Sequence, residues 1–223
     1  MTFTQISAML GRRLEDEDSS KFPKQNRIDA VNNAMHRLAN VLDNDMLEEL
    51  RTTDTLTPAE IGTSDIYSAA LSGLSPVVQR NGIQKVYDTQ HSQWVHLVDP
   101  IDLEKTGNLY LTPSANYAIA YVYGANIYLM NGSTGITAIT VWYVGKPTTY
   151  VIDSNESSEC PFNAGLHPLV VDLAEAELWK QDGKNAKAQA VLEVAEQEIQ
   201  TLNQRAASER KEVVGRTQQN RSK

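Results

Sequence analysis

The stretch NRIDAVNNAMHRLANVLDNDMLEEL, residues 26–50, is followed at once by RTTDTLTP, residues 51–58. The hydrophobic period changes between the two. Ile28, Val31, Met35, Leu38 and Leu42 recur every three or four residues, which is the single apolar stripe of an amphipathic helix. The spacing predicts a helix over about Lys24–Leu50, roughly 40 Å long at ~1.5 Å per residue. Its outer face would carry Asn26, Arg27, Asn33, Arg37 and Asn40. Asparagine is a poor helix former, so this helix needs tertiary packing to hold it. From Thr52 to about Ile152 the helical period is gone. β-branched and aromatic residues are dense there, punctuated by Gly, Asn, Pro and Ser.

Upstream of the stripe, Thr4–Leu14 reads as a short helix with Ile6, Met9, Leu10 and Leu14 near one face. The linker EDEDSSKFPK, residues 15–24, separates it from the stripe. Its run Glu15–Asp18 lacks the alternating ligand pattern of a calcium loop and reads as a solvated charge run. In the strand-rich zone, strands are predicted at Gln84–Asp88, Gln93–Leu97, Asn108–Leu111, Tyr117–Tyr123, Asn126–Met130 and Ile136–Val144. Turns are predicted at Gly124 and Gly132, and Pro58–Gly73 is ambiguous, with room for a short helix. Short strands at this spacing predict a small antiparallel sandwich or barrel-like module rather than βαβ units.

Helical periodicity returns after Asp153. Pro168 suits a first helical turn, Leu169, Val170, Leu173, Ala176 and Trp179 follow it, and Gly183 closes the helix. Asn185 to about Arg205 resumes with Ala188, Leu192, Ala195, Ile199 and Leu202. The reading is an α+β chain of four segments. Residues 1–51 are N-terminal helices, 52–152 an inserted β module, 153–205 a helical hairpin completing one bundle, and 206–223 an extended C-terminal arm. The expected bundle core is Ile28, Val31, Met35, Leu38 and Leu42 against Leu173, Leu192 and Ile199, with Ala176 beside them.

The charge is segregated. Residues 205–223 carry six basic and two acidic groups, a net +4. Against a total of −8 this leaves −12 on residues 1–204. An acidic body excludes a generally basic nucleic-acid-binding surface. The single cysteine, Cys160, excludes an intramolecular disulfide and cysteine-rich zinc sites. No apolar stretch is long enough for a spanning helix, and the N-terminus lacks the pattern of a secretory signal. A soluble protein made in a reducing cytoplasm is expected. There is no phosphate-binding loop, no nucleophile elbow and no HExxH. His91 and His96, if both on one strand, would point to opposite faces and not share a metal. His36 and His167 read as structural. No catalytic residue, metal site or cofactor is expected, and the chain is expected not to be an enzyme. Trp94, Tyr121, Tyr123 and Trp142 concentrate in the β zone as contact candidates, since aromatics favour both sheets and interfaces.

Residues 26–50 resemble the first long helix of tailed-bacteriophage head-to-tail adaptor proteins, through the run from Ile28 to Leu38. His167 to Leu202, HPLVVDLAEAELWKQDGKNAKAQAVLEVAEQEIQTL, resembles the paired C-terminal helices of that family, with its Pro-led helix and short Asp-Gly turn. The resemblance implies a structural protein of the virion neck, assembled in the host bacterial cytoplasm. It would form a homo-oligomeric ring, usually twelve-fold in such proteins, beneath the portal protein. The ring would join the DNA-filled head to a downstream neck or tail protein, with double-stranded DNA passing through without sequence-specific binding. It also implies that the basic arm, with Arg205, Arg210, Lys211, Val213, Val214 and Arg216, docks on the portal. Fully extended, 18 residues would reach roughly 60 Å. The alternatives are a tail terminator, a baseplate protein, or a carbohydrate-binding virion module.

Overall fold

The computed structural model describes residues 1–61, 66–100, 118–130 and 135–221. The fold is α+β, with four helices among the described residues and one curled mixed sheet, a half-barrel. The chain divides into two units, Met1–Leu50 with Pro147–Lys223, and Arg51–Lys146. The second boundary lies before Pro147 rather than after Ile152. Tyr150 is the reason: its N–H donates to Asn32 Oδ1 (2.7 Å), its carbonyl accepts from Asn32 Nδ2 (2.9 Å), and its ring packs 5.4 Å from Phe3.

In the helical unit, α1 (Phe3–Arg13) opens on a capping box, in which Thr2 and Gln5 satisfy each other's backbone N–H. α2 (Lys24–Val41) buries Ile28, Val31, Met35 and Leu38. It is shorter than predicted. Leu42 turns extended, and the Asp43 side chain accepts from Asp45 N–H to begin a 3-10 turn, Asn44–Met46, with a second at Glu48–Leu50. Asp and Asn side chains compete for backbone N–H groups in this way, and DND supplies three of them. α3 (His167–Gln181) is buried almost all round, including Leu169, Val170, Val171, Leu173, Ala174 and Leu178, because α2 and the last helix both pack on it.

That last helix, α4, runs from Asn185 to Arg221. The extended arm expected from residue 206 is therefore helix. Apolar periodicity ends there, but Ala206, Ala207, Glu209, Arg210, Lys211 and Glu212 are strong helix formers. Arg205/Glu209 and Glu212/Arg216 add opposite charges four residues apart.

The strand unit comprises β1 (Arg51–Leu56), β2 (Ala59–Glu60), β3 (Ile66–Ala70), β4 (Val78–Asp88), β5 (Gln93–Leu97), β6 (Ala118–Tyr123), β7 (Asn126–Met130) and β8 (Ile139–Gly145). They form one sheet in the order β1-β8-β4-β5-β6-β7-β3-β2. It is a single curled sheet, not a sandwich, and not wholly antiparallel, because β5 and β6 run parallel. The ambiguous segment 58–73 holds β2, β3 and a 3-10 turn, Leu71–Gly73. The strand predicted at Asn108–Leu111 lies outside the described residues. β4 and β8 pair through a break in register near Gly82, where a Cβ would come within 2.7 Å of the Val144 carbonyl oxygen. One face of the sheet builds the core, with Leu56, Tyr67, Val86, Val95, Ile127, Leu129, Ile139, Val141 and Tyr143.

Candidate interaction surfaces

Strand alternation places the aromatic candidates on the other face of the sheet. Register pairs Tyr87 with Trp94 across β4–β5, and Lys85 with Trp142 across β4–β8. Trp94 meets Tyr87 edge-on at 5.2 Å and Trp142 at 5.2 Å, while Lys85 Nζ lies 5.8 Å from the Trp94 ring centre. Trp94 is nonetheless 54% exposed, and Trp142 is half-buried. Across the next two strands, β6 and β7, Tyr121 and Tyr128 stack at 5.1 Å, and burial raises the Tyr121 phenol pKa. Tyr123, at the end of β6, is 68% exposed. Tyr87 and Lys85 were not among the candidates, yet strict alternation along the predicted strand 84–88 puts both on the Trp94 face.

The second surface belongs to α4. Ala188, Ala195, Ile199 and Ala206 are buried, whereas Leu192, an expected core residue, is only half-buried. Leu173, Ile28, Val31, Met35, Leu38 and Leu42 are buried. Near α4's middle, Asn203 ties down the end of α2. Its Nδ2 donates to Val41 O (2.8 Å), and its Oδ1 accepts from Asp43 N–H (2.9 Å). A groove of about 510 Å3 opens here, lined by Val41, Ile199, Asn203, Ala207 and the Arg37–Glu196 ion pair (2.9 Å). Val41 is 42% exposed. It sits one residue off the buried stripe, so periodicity alone gave no reason to single it out. Beyond Ala206 the next three residues, Ala207, Ser208 and Glu209, are exposed. Arg205 is exposed too, and Arg210, Lys211, Val213, Val214 and Arg216 all fall on α4.

The remaining polar clusters join neighbouring segments of the chain. Asp16 and Arg27 are 3% and 2% exposed, so neither lies on a solvated face as expected from the sequence. Asp16 Oδ2 accepts from Arg27 Nη2 (2.8 Å) and Phe22 N–H (2.9 Å), and Oδ1 from Lys21 N–H (2.9 Å). Burial alone would push the Asp16 carboxyl pKa up. Those two N–H groups and the guanidinium outweigh it and hold the pKa at about 2. His91 lies in the β4–β5 turn rather than on a strand, with Nδ1 2.6 Å from the buried Asp88 carboxylate. His167 is buried between the Met1 ammonium (3.1 Å) and Phe162 O (2.8 Å). Trp179 is ringed by Lys21, Lys184 and Lys187 at 4.7–5.3 Å. Among the described residues, no group of three His, Cys, Asp or Glu side chains is placed to hold a metal, and no helix is long and apolar enough to cross a membrane. No family model and no curated protein matches the chain.

Proposed function

We propose that this chain is a structural, non-enzymatic virion protein, a head-to-tail adaptor of a tailed bacteriophage. One observation carries the reading. Helices from both ends of the sequence form a single unit, the strand unit is inserted between them in the chain, and the last helix continues through the basic C-terminal segment. The adaptor resemblance of residues 26–50 and 167–202 falls on helices of that unit. Copies would form a ring in the virion neck beneath a portal protein, contacting a downstream neck or tail protein on the other side. A body carrying −12 suits a channel through which DNA must slide, because it repels phosphate. Negative-stain microscopy of the purified chain tests the reading: closed rings that bind portal-bearing heads are expected, and a chain that neither forms rings nor joins heads overturns it.

A second reading, a carbohydrate-binding virion module, is favoured by the exposure of Trp94 beside Trp142 and Tyr87. It expects glycan-array binding that Trp94→Ala abolishes. No glycan bound by the wild-type chain removes that reading.

A further inference from the structure

Four neighbouring strands, β1, β8, β4 and β5, set their outward side chains side by side. Thr55, Thr140, Tyr87 and Trp94 form one row, each paired with the next across the ladder. Thr53, Trp142 and Lys85 form the row beside it. At ~4.8 Å between strands, the longer row is roughly 14 Å across. Thr53, Thr55, Lys85 and Trp94 are exposed, while Thr140, Tyr87 and Trp142 are half-buried.

Trp94 is the centre of this platform. It leans on Tyr87 and on Trp142, each at 5.2 Å, so a ring that is 54% exposed is braced from two sides. A braced side chain has less freedom to lose when a ligand covers it. Tyrosine and tryptophan join an apolar body to a polar tip, and each threonine hydroxyl both donates and accepts. That mixture matches the C–H faces and hydroxyl rims of sugar rings. The buried centre of a protein interface is mostly apolar, and no Leu, Ile, Val or Met stands in either row.

The charge of the platform is positive. Lys85 Nζ lies 5.8 Å from the Trp94 ring centre and pairs with no carboxylate among the described residues. The carboxylates within these four strands are Asp54 and Asp88. Both alternate to the opposite face, with Leu56 and Val86, and Asp88 is fully buried. An anion on the platform therefore meets a lysine with no strand carboxylate beside it, on a chain whose residues 1–204 carry −12.

We propose that this platform binds an acidic glycan, a sugar ring stacking on Trp94, its carboxylate or phosphate group meeting Lys85 and its hydroxyls meeting Thr53, Thr55 and Thr140. The proposal rests on the carbohydrate reading above and names the ligand class. Single-stranded nucleic acid suits the surface less well, since each stacked base brings a phosphate and the two rows hold one cation.

An array of neutral, uronic-acid, sialylated and phosphorylated glycans tests this, the strongest hit then being titrated into the full chain by calorimetry. The wild-type chain should select acidic glycans, and Trp94→Ala should abolish binding. Lys85→Gln should weaken the acidic hit at least about tenfold, the worth of one hydrogen bond to a charged group, while Lys85→Arg should keep most of it. Thermal unfolding checks the fold of each variant, and Lys85→Gln, at an exposed position, is an independent disruption should Trp94→Ala misfold. Neutral glycans bound as well as acidic ones, or an acidic glycan bound equally by Lys85→Gln, overturns the acidic class and leaves the carbohydrate reading standing. Glycan binding that a folded Trp94→Ala chain retains overturns the platform. No glycan bound at all overturns both the proposal and the carbohydrate reading. A single-stranded DNA oligonucleotide bound through Trp94 in that case assigns the face to nucleic acid.

Discussion

Asp16 belongs to a run of four acidic residues, yet it alone is buried among them, while Glu15, Glu17 and Asp18 remain exposed. It accepts hydrogen bonds from the backbone of Lys21 and Phe22 and pairs with Arg27, so one carboxylate closes the α1–α2 linker onto α2. Removing its charge leaves Arg27 buried without a counter-ion, and Asp16→Asn should cost on the order of 3 kcal/mol in urea unfolding. The pH dependence follows from the lowered pKa. The folded carboxyl titrates at about 2 against an ordinary 3.8, so its contribution is present above pH 4 and is lost as pH falls through that window. Acid unfolding of the wild-type chain should steepen there, and Asp16→Asn should flatten that limb. Leu38 is a simpler case: fully buried on α2, it should cost about 2–5 kcal/mol when cut to Ala, measured the same way.

Two elements carry the candidate interaction surfaces. On the sheet, Trp94 lies on the face away from Val86, Val95 and Val141 and is more than half exposed. Trp94→Ala should therefore leave the thermal transition within a few degrees of wild type, since surface substitutions usually stay near ±0.5 kcal/mol. Val95→Ala, one residue along and facing the core, should lower it clearly. In α4, Gly215 sits inside the helix, where glycine is about 1 kcal/mol less favourable than alanine. Gly215→Ala should raise the 222 nm ellipticity. Unchanged ellipticity, both in that variant and after truncation at Ser208, would mean that the segment is not helical in solution.

At the scale of the whole molecule, residues 1–50 and 147–223 meet in one unit although a hundred residues of strand lie between them in sequence. The α2–α3 packing, the Asn32–Tyr150 bonds and the Asn203–Val41 bond all lie within that unit. Replacing residues 51–146 by a short Gly/Ser linker should preserve a cooperative helical transition. The shortened chain should keep the Asn32–Tyr150 and Asn203–Val41 bonds. It should lose contact with any partner that recognises the aromatic sheet face.

The sequence by itself determined where helix gives way to strand and back, because the change of hydrophobic period at Arg51 and its return at Pro168 are local properties. It also determined the core stripe Ile28–Leu42 and the aromatic concentration around Trp94 and Trp142. Side-chain period needs no knowledge of the partner. Only the tertiary structure decided that Asp16 and Arg27 are buried together, since a charge run looks the same in sequence whether solvated or paired. It decided the parallel β5–β6 pairing and the single curled sheet, because strand order is set by which edges meet and not by any strand alone. It also decided that residues 206–221 are helix. Loss of apolar periodicity does not by itself end a helix, and residues that are good helix formers continue it to Arg221.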